Sequence, residues 1–436
     1  MYMCRETIRK AVVQKFKEVK GWNCESITEL YNKIDNINEA NEIVNSIKIC
    51  DPAVGSGHFL VSALNEIIAV KNDLRIFQDR EGKRLKEFHI EVVNDELITT
   101  DDDGLIFEYN PKSKESQRVQ ETLFHEKQTL IENCLFGVDI NPNSVKICRL
   151  RLWIELLKNA YYKNETELET LPNIDINIKC GNSLISRFSI DADLGQALKK
   201  SKWNIDSYRL AVSTYRNAQN KEQKREMERL IADIKSDFRS EIASNDPKIK
   251  RLQRIKGELY SLTNQTSLFE KSKKEKEEWN KKVQKFTDEI KKLESEIEEI
   301  KSNQIYENAF EWRFEFPEVL NEKGDFVGFD VVIGNPPYIA VSGISQKERE
   351  YIFAKFTNSS SRIDLFGIFT EFGIQIMKVN GLLTFIIPMQ LLKNTAFSSI
   401  RKNLLSNTSI HKINYVGSSI FEDANNDTIV IEYENI

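Results

Sequence analysis

No apolar run in the 436 residues is long enough to cross a bilayer, and Met1 to Lys10 mixes polar and apolar side chains where a signal peptide carries an apolar core. A helical membrane protein is thereby excluded, and the cytoplasm is the expected location. The six cysteines (Cys4, Cys24, Cys50, Cys134, Cys148 and Cys180) lie far apart with no CxxC pair. Neither a disulfide framework nor a zinc site is expected; several lie in apolar, strand-like runs, as buried free thiols in a reducing compartment do. Positive charge is also short, with a formal net charge of −5. A nucleic-acid partner would need a local basic groove, with part of the phosphate-holding surface on segments outside this chain. No convincing internal repeat is present. What remains is an ordinary mixture, 40% hydrophobic and 30% charged, able to build one large α/β domain with insertions or two domains.

Short β-branched runs alternate with amphipathic segments, the pattern of a parallel sheet covered by helices on both faces. Seven strands are expected: Ile47–Cys50, Leu135–Asp139, Ile176–Cys180, Phe329–Ile333, Leu382–Ile387, Ile410–Val416 and Asp427–Tyr433. Helices are expected over Gly57–Val70, Ser144–Ala160, Leu365–Val379 and Phe397–Leu405. An Asn- and Asp-rich loop, Glu422 to Asp427, joins the last two strands with no helix between, which predicts an antiparallel hairpin at the sheet edge. Two stretches break the rhythm. From about Lys71 to Gln128 helical periodicity is lost, and "HIEVVNDELITTDDDGLIFEYN" reads as a small β-hairpin. From about Asp191 to Asn308 the chain is charged and helical. There Trp279, Val283, Phe286, Ile290, Leu293, Ile297 and Ile300 recur at spacings of three and four, the seam of a helical hairpin or short coiled coil, with a break at Asn245-Asp246-Pro247.

Four strand ends carry chemistry. In "IKICDPAVGSGHFLVSALNEII" a strand ends in Asp51, and a glycine-containing turn leads to a helix starting near Gly57. Glycines suit a close ligand approach, and the helix N-terminus offers unpaired N–H groups to a carboxylate; a plain strand-to-helix turn is the alternative. In "CLFGVDINPNSVKICRLRLWIELL" the next strand ends in Asp139, with Asn143 or Ser144 as the helix cap. An acidic residue there accepts hydrogen bonds from ribose hydroxyls in such units, or else helps cap the helix. In "INIKCGNSLI" the Asn182 side chain is placed to meet the edge of a base while Leu184 packs on its face, or the segment is a simple Gly-Asn turn. In "FDVVIGNPPYIA" a buried strand runs into Asn335-Pro336-Pro337-Tyr338. Prolines stiffen this loop, and an Asn oxygen beside the Pro336 carbonyl makes a pair of acceptors for one planar amine, with Tyr338 as a stacking surface. Strand termination alone is the weaker account of that tetrapeptide once the other three ends precede it in order.

With these motifs in this order, the chain resembles the gamma class of adenine-N6 DNA methyltransferases, and most of all the long methylase regions of type IIG restriction–modification enzymes. Beyond the four motifs the resemblance covers "FEWRFEFPEVL", "DLFGIF", "GLLTFIIP" and "SSIFEDANNDTIVIEY". It implies an α/β fold, the seven-stranded class I (Rossmann-like) methyltransferase sheet with its last strand antiparallel, carrying a charged helical insertion. On that reading 1–190 is the cofactor-binding half with a β-hairpin insertion near 71–128, 191–308 is the insertion, and 309–436 is the catalytic half. The implied cofactor is S-adenosyl-L-methionine, the implied substrate double-stranded DNA, and no metal is called for. Asp51, Ala53, Gly55, Gly57 and Phe59 would surround the methionine end, Asp139 the ribose, and Ile140, Asn182 and Leu184 the cofactor's adenine, with Phe369 on its other face. Relatives commonly carry Asp at the position of Asn182. Asn335, Pro336, Pro337 and Tyr338, with Phe421 as a second aromatic clamp, would hold the target base after it is flipped from the duplex. A Tyr-Thr-Pro segment and a target recognition domain, usual in relatives, are expected outside these residues, as are any specificity subunit and any fused nuclease. RNA adenine or protein glutamine as the acceptor, or an inactive scaffold of the same fold, are the alternatives.

Overall fold

The computed structural model describes residues 2–86, 88–191, 198–218, 220–244, 247–264, 273–302, 304–358, 364–418 and 427–436. Its strands are β1 (Ile49–Asp51), β2 (Phe88–Val93), β3 (Glu96–Asp101), β4 (Leu135–Asp139), β5 (Ile178–Cys180), β6 (Phe329–Gly334), β7 (Met377–Pro388), β8 (Thr408–Gly417) and β9 (Thr428–Asn435). Seven of them form one sheet in the order β5-β4-β1-β6-β7-β9-β8, and β2–β3 stand apart as a hairpin. β1 pairs in parallel with both β4 and β6, so Ile49 faces Leu135 on one side and Val331 on the other. β9 runs antiparallel between β7 and β8. This is the expected seven-stranded α/β sheet, with the expected edge hairpin.

The central strands are buried on both faces, which is why they read as unbroken apolar runs. One face packs against the helices Tyr2–Lys20, His58–Asp73, Lys114–Asn133 and Pro142–Leu157. The other is covered by Leu365–Ile376, Ser398–Asn407 and an aromatic cluster of Phe310, Trp312, Phe316, Phe329 and Phe372. Full burial of each such side chain stabilises the fold by about 1.5–3 kcal/mol. The first helix is tied to the sheet by the buried Thr7–Thr384 hydroxyl pair at 2.7 Å and by Lys15 to Asp330 at 2.9 Å.

Several boundaries differ from expectation. β1 and β5 begin two residues late, because Ile47 and Lys48 lead into β1 and a 3-10 turn, Ile174–Ile176, precedes β5. The helix expected over Leu365–Val379 stops at Ile376, since Met377 pairs with Phe329 and opens β7. The helix after β4 is capped by Asn141, whose side chain accepts the Asn143 amide, with Pro142 in its first turn, and not by Asn143 or Ser144. A 20-residue helix, Lys114–Asn133, occupies part of the stretch that showed no helical periodicity. Its inward face carries Val119, Leu123, Phe124, Leu130 and Ile131, but Ser116, Gln120, Thr122 and Lys127 are buried with them and blur the apolar stripe. Cys180 is exposed, whereas the other five cysteines are buried, and all six are free. Among the described residues no helix is long and apolar enough to cross a membrane.

The charged region contains helices Lys221–Ser244, Pro247–Thr263 and Lys273–Ser302. The last two pair through Leu252, Ile255 and Leu259 against Phe286, Ile290 and Leu293, flanked by the ion pairs Arg251–Glu289 and Lys256–Glu294. The Asn245-Asp246 part of the expected break lies outside the described residues. The region is anchored on the main domain at Glu315. Glu315 Oε2 meets Lys179 Nζ of β5 at 3.2 Å and Lys235 Nζ at 2.6 Å, while Oε1 lies 3.4 Å from Arg239. Burial alone would raise the pKa of this carboxylate, but Lys179 and Lys235 outweigh it and hold the pKa down to about 2.

Candidate active site

The carboxyl ends of β1, β4, β5 and β6 gather at one rim of the sheet, as strand ends do in open α/β folds. At β1, Asp51 is 1% exposed and its Oδ1 accepts the Ala53 amide at 3.0 Å. The turn then folds back on β4: the Val54 amide donates to the Val138 carbonyl at 2.9 Å, and the Gly55 amide to Asp139 Oδ2 at 2.9 Å. Gly57 caps the following helix at φ 82°, where a Cβ would stand 2.5 Å from Cys148 Sγ; the position admits no side chain. Gly334, at the end of β6, is equally constrained, because a Cβ there would stand 2.6 Å from Asp51 Oδ1.

Burial pushes the Asp51 carboxyl up to about 8, with the nearby Asp139 adding to the shift. A carboxyl whose pKa is raised on folding binds its proton more tightly in the native state, so it costs stability progressively as pH rises from about 4 to about 8. Asp51→Asn is therefore expected to melt above the unsubstituted protein, with a gap that widens from pH 5 to roughly 3–6 °C at pH 8. Melting curves for the two proteins that run parallel across this range would refute the buried neutral carboxyl.

At β4, Asp139 holds the Gly55 amide with one oxygen and the Asn141 amide with the other, at 2.8 Å. Ile140, next along, is 56% exposed. At β5 the loop Gly181–Ile185 is fixed from below. The Asn182 amide donates to the Asn308 carbonyl at 2.6 Å, and the Phe310 amide to the Ile185 carbonyl at 2.9 Å. Trp312 Nε1 donates to the Ser183 carbonyl at 3.0 Å, and Ser183 Oγ to the Pro52 carbonyl at 2.6 Å. The segment leaving the helical region thus forms the floor of this loop.

At β6, Asn335 follows Gly334, and its Oδ1 is buried with no hydrogen-bond partner. Buried polar atoms are paired in the great majority of cases, so an orphan oxygen marks a place prepared for a donor. Tyr338 is fixed by its hydroxyl, which donates to the Ile386 carbonyl at 3.0 Å, and by edge contact with Phe366.

A cavity of about 360 Å³ joins these ends, within the ordinary range for small-molecule sites. Ala53, Asp139, Ile140, Asn182, Leu184, Asn335, Pro337 and Phe369 line it. Asp51, Gly55, Gly57, Pro336 and Tyr338 stand behind this wall or beside it. Phe59 packs against the core instead. Phe421 lies outside the described residues. The cavity also brings in Pro52, Ser183, Ile339, Ile344, Glu348, Ile352 and Leu365, which the motifs did not single out. Four of these come from the segment after Tyr338, where "SQKE" was the available signal. Ser345 and Glu348 there form a reciprocal capping box on the helix Gln346–Lys355.

Residues 133–421 match the family model of the Eco57I restriction-modification methylase. A putative type II restriction enzyme and methyltransferase of Methanocaldococcus jannaschii, RM.MjaORFECS2P, is 27% identical over 474 aligned positions, which cover 99% of this chain and 34% of that protein. The type II restriction enzyme and methyltransferase RM.Eco57I of Escherichia coli is 36% identical over 93 residues, 21% of this chain and 9% of its own length. Among solved structures, the type IIL restriction-modification enzyme MmeI in complex with DNA aligns at 11% identity and a TM-score of 0.41, over 99% of this chain and 36% of that one. The chain spans about a third of the length of the M. jannaschii relative.

Proposed function

Because this chain belongs to the Eco57I restriction-modification methylase family, we propose that it transfers a methyl group from S-adenosylmethionine to the N6 amine of adenine in duplex DNA. The observation that carries this reading is the Asn335 oxygen, buried and unpaired on a residue that lines the cavity at the end of β6. A carboxamide oxygen and the neighbouring Pro336 carbonyl suit the two hydrogens of one planar amine.

The cavity wall also suits the cofactor. Asp139 and the exposed Ile140 offer a ribose acceptor and an apolar plate, and Leu184 and Phe369 supply further apolar walls. The turn from Asp51 to Gly57 would hold the methionine end, and an ammonium brought beside Asp51 would favour its ionised carboxylate. When bound, S-adenosylmethionine supplies a sulfonium-activated methyl group. The protein's own residues do the rest. Flipping an adenine out of the duplex costs a few kcal/mol, and stacking on Tyr338 returns about 1–3 kcal/mol of it. With its hydroxyl held by β7, the tyrosine ring is a fixed platform. Asn335 Oδ1 and the Pro336 carbonyl accept the N6 hydrogens, which draws the nitrogen lone pair out of conjugation and towards the methyl donor. Catalysis by positioning and electrostatics of this kind needs no covalent enzyme intermediate.

The decisive experiment incubates the protein with tritiated S-adenosylmethionine and duplex DNA, followed by digestion to nucleosides. Label is expected in N6-methyladenine. Label in a methylated cytosine, or label incorporated into RNA or protein but not DNA, would overturn the assignment.

A further inference from the structure

The cavity wall contains few side-chain oxygens able to accept a hydrogen bond from a ligand, and most are already committed. Asp139 holds the Gly55 and Asn141 amides, one with each oxygen. Ser183 Oγ donates to the Pro52 carbonyl. Asn335 stands at the other end of the cavity, after β6. The Asn182 oxygen accepts the Leu184 amide at 3.1 Å within its own turn, so the group this side chain offers a ligand is its Nδ2 donor.

Glu348 is different. It lines the same cavity and is half-buried, on the first turn of the helix Gln346–Lys355. Its Oε2 takes the Ser345 amide at 3.1 Å and the Ser345 hydroxyl at 2.7 Å, which fixes the carboxylate in place. Among the described residues, Oε1 takes no hydrogen bond. Glu348, Asn182 and Ile140 also share the outer crevice that adjoins the cavity, so these three lie together at one mouth. An apolar plate, an amide donor and a carboxylate acceptor gathered there match one edge of an adenine, whose ring nitrogen accepts and whose exocyclic amine donates.

Resting on the reading proposed above, we propose that Glu348 recognises the adenine of the cofactor by accepting its exocyclic amine, while Asn182 Nδ2 donates to the adjacent ring nitrogen. Glu348 is then the residue that selects an adenosine-based methyl donor over one with a 6-oxo base. The carboxylate would repel the carbonyl oxygen of the latter.

The test is calorimetry on the full chain with two probes, S-adenosylhomocysteine and S-inosylhomocysteine, which differ at this edge of the base. The unsubstituted protein should prefer the adenosine compound by at least about tenfold, the worth of one hydrogen bond to a charged group. Glu348→Ala should cut that preference by at least about threefold, by weakening S-adenosylhomocysteine and sparing or improving S-inosylhomocysteine, with the remainder kept by Asn182 Nδ2, which meets a ring N–H in the inosine compound. Glu348→Gln has a single oxygen, which the Ser345 amide and hydroxyl hold in the cap, so it turns an NH2 donor towards the ligand; it should abolish or reverse the preference while leaving the helix cap intact. Equal weakening of both probes in Glu348→Ala would mean that the residue serves only as a helix cap, and would overturn this inference while leaving the proposed function standing. An unchanged preference in Glu348→Ala would do the same. Failure of the unsubstituted protein to bind S-adenosylhomocysteine would overturn the proposed function, and this inference with it.

Discussion

Asn335→Ala is expected to lower the rate of methyl transfer by on the order of 10²–10³-fold or more, while leaving cofactor affinity within about threefold of the unsubstituted protein. The substitution removes the Asn335 carboxamide with its orphan oxygen and leaves the Pro336 carbonyl in place. Without it, the target amine keeps only one acceptor and stays conjugated with the ring. The cofactor's proposed partners, from Asp51 to Asn182, are untouched. A buried unpaired oxygen also costs the empty protein about 1–3 kcal/mol, so its removal offsets the packing lost with the side chain, and the melting temperature should not fall. Single-turnover transfer of a tritiated methyl group, calorimetry with S-adenosylhomocysteine and a melting curve give the three readouts. Turnover within tenfold of the unsubstituted protein, or a loss of activity that tracks a loss of stability, would remove Asn335 from the chemistry.

The second large effect lies away from the cavity. Glu315→Ala should destabilise the fold by on the order of 3–5 kcal/mol, because it removes the carboxylate shared by the largely buried Lys179 and Lys235. The effect has a pH signature. A carboxyl held down to about 2 in the native state, against an ordinary 4.5, contributes stability that is fully present above about pH 4.5 and is lost as pH falls towards 2. The difference between Glu315→Ala and the unsubstituted protein in urea unfolding should therefore narrow from pH 7 to pH 3.5. A difference below about 1 kcal/mol at pH 7 would show that the cluster behaves as an ordinary surface ion pair.

Much of the site was legible because its chemistry is written in consecutive residues at strand ends. A strand, a fixed turn and a helix start leave a local pattern, and Asp51, Asp139 and Asn335 each follow a run of buried apolar residues, while Asn182 follows the short strand β5. What was hidden depends on contacts between distant segments. Glu315 meets cations 76 to 136 residues away, and no local spacing announces that. The helix Lys114–Asn133 was obscured because Gln120 and Lys127 are buried yet hydrogen-bonded, Gln120 to the Lys158 and Ala160 carbonyls and Lys127 to the Glu155 carbonyl. Binary patterning counts such residues as solvent-facing. The first residues of β7 are hidden because the helical pattern of Leu365–Ile376 continues through Met377-Lys378-Val379, and Asn380-Gly381 reads as the break before the strand. Glu348 gave only a capping signature, which says where a helix starts and nothing about which cavity it borders.

The pairing of Ile49 with Val331 has a consequence for how the molecule is made. The two central strands are separated by about 280 residues, including the whole charged helical region. At a synthesis rate of roughly 5–20 residues per second, β1 waits on the order of 15–60 s on the ribosome before its β6 neighbour exists. During that interval one of its edges carries unsatisfied amides and carbonyls, open to any passing strand. The turn after β1, which is held by β4, can form within that interval, whereas the loop carrying Asn335 reaches it only when β6 closes the sheet, so the cavity is completed last.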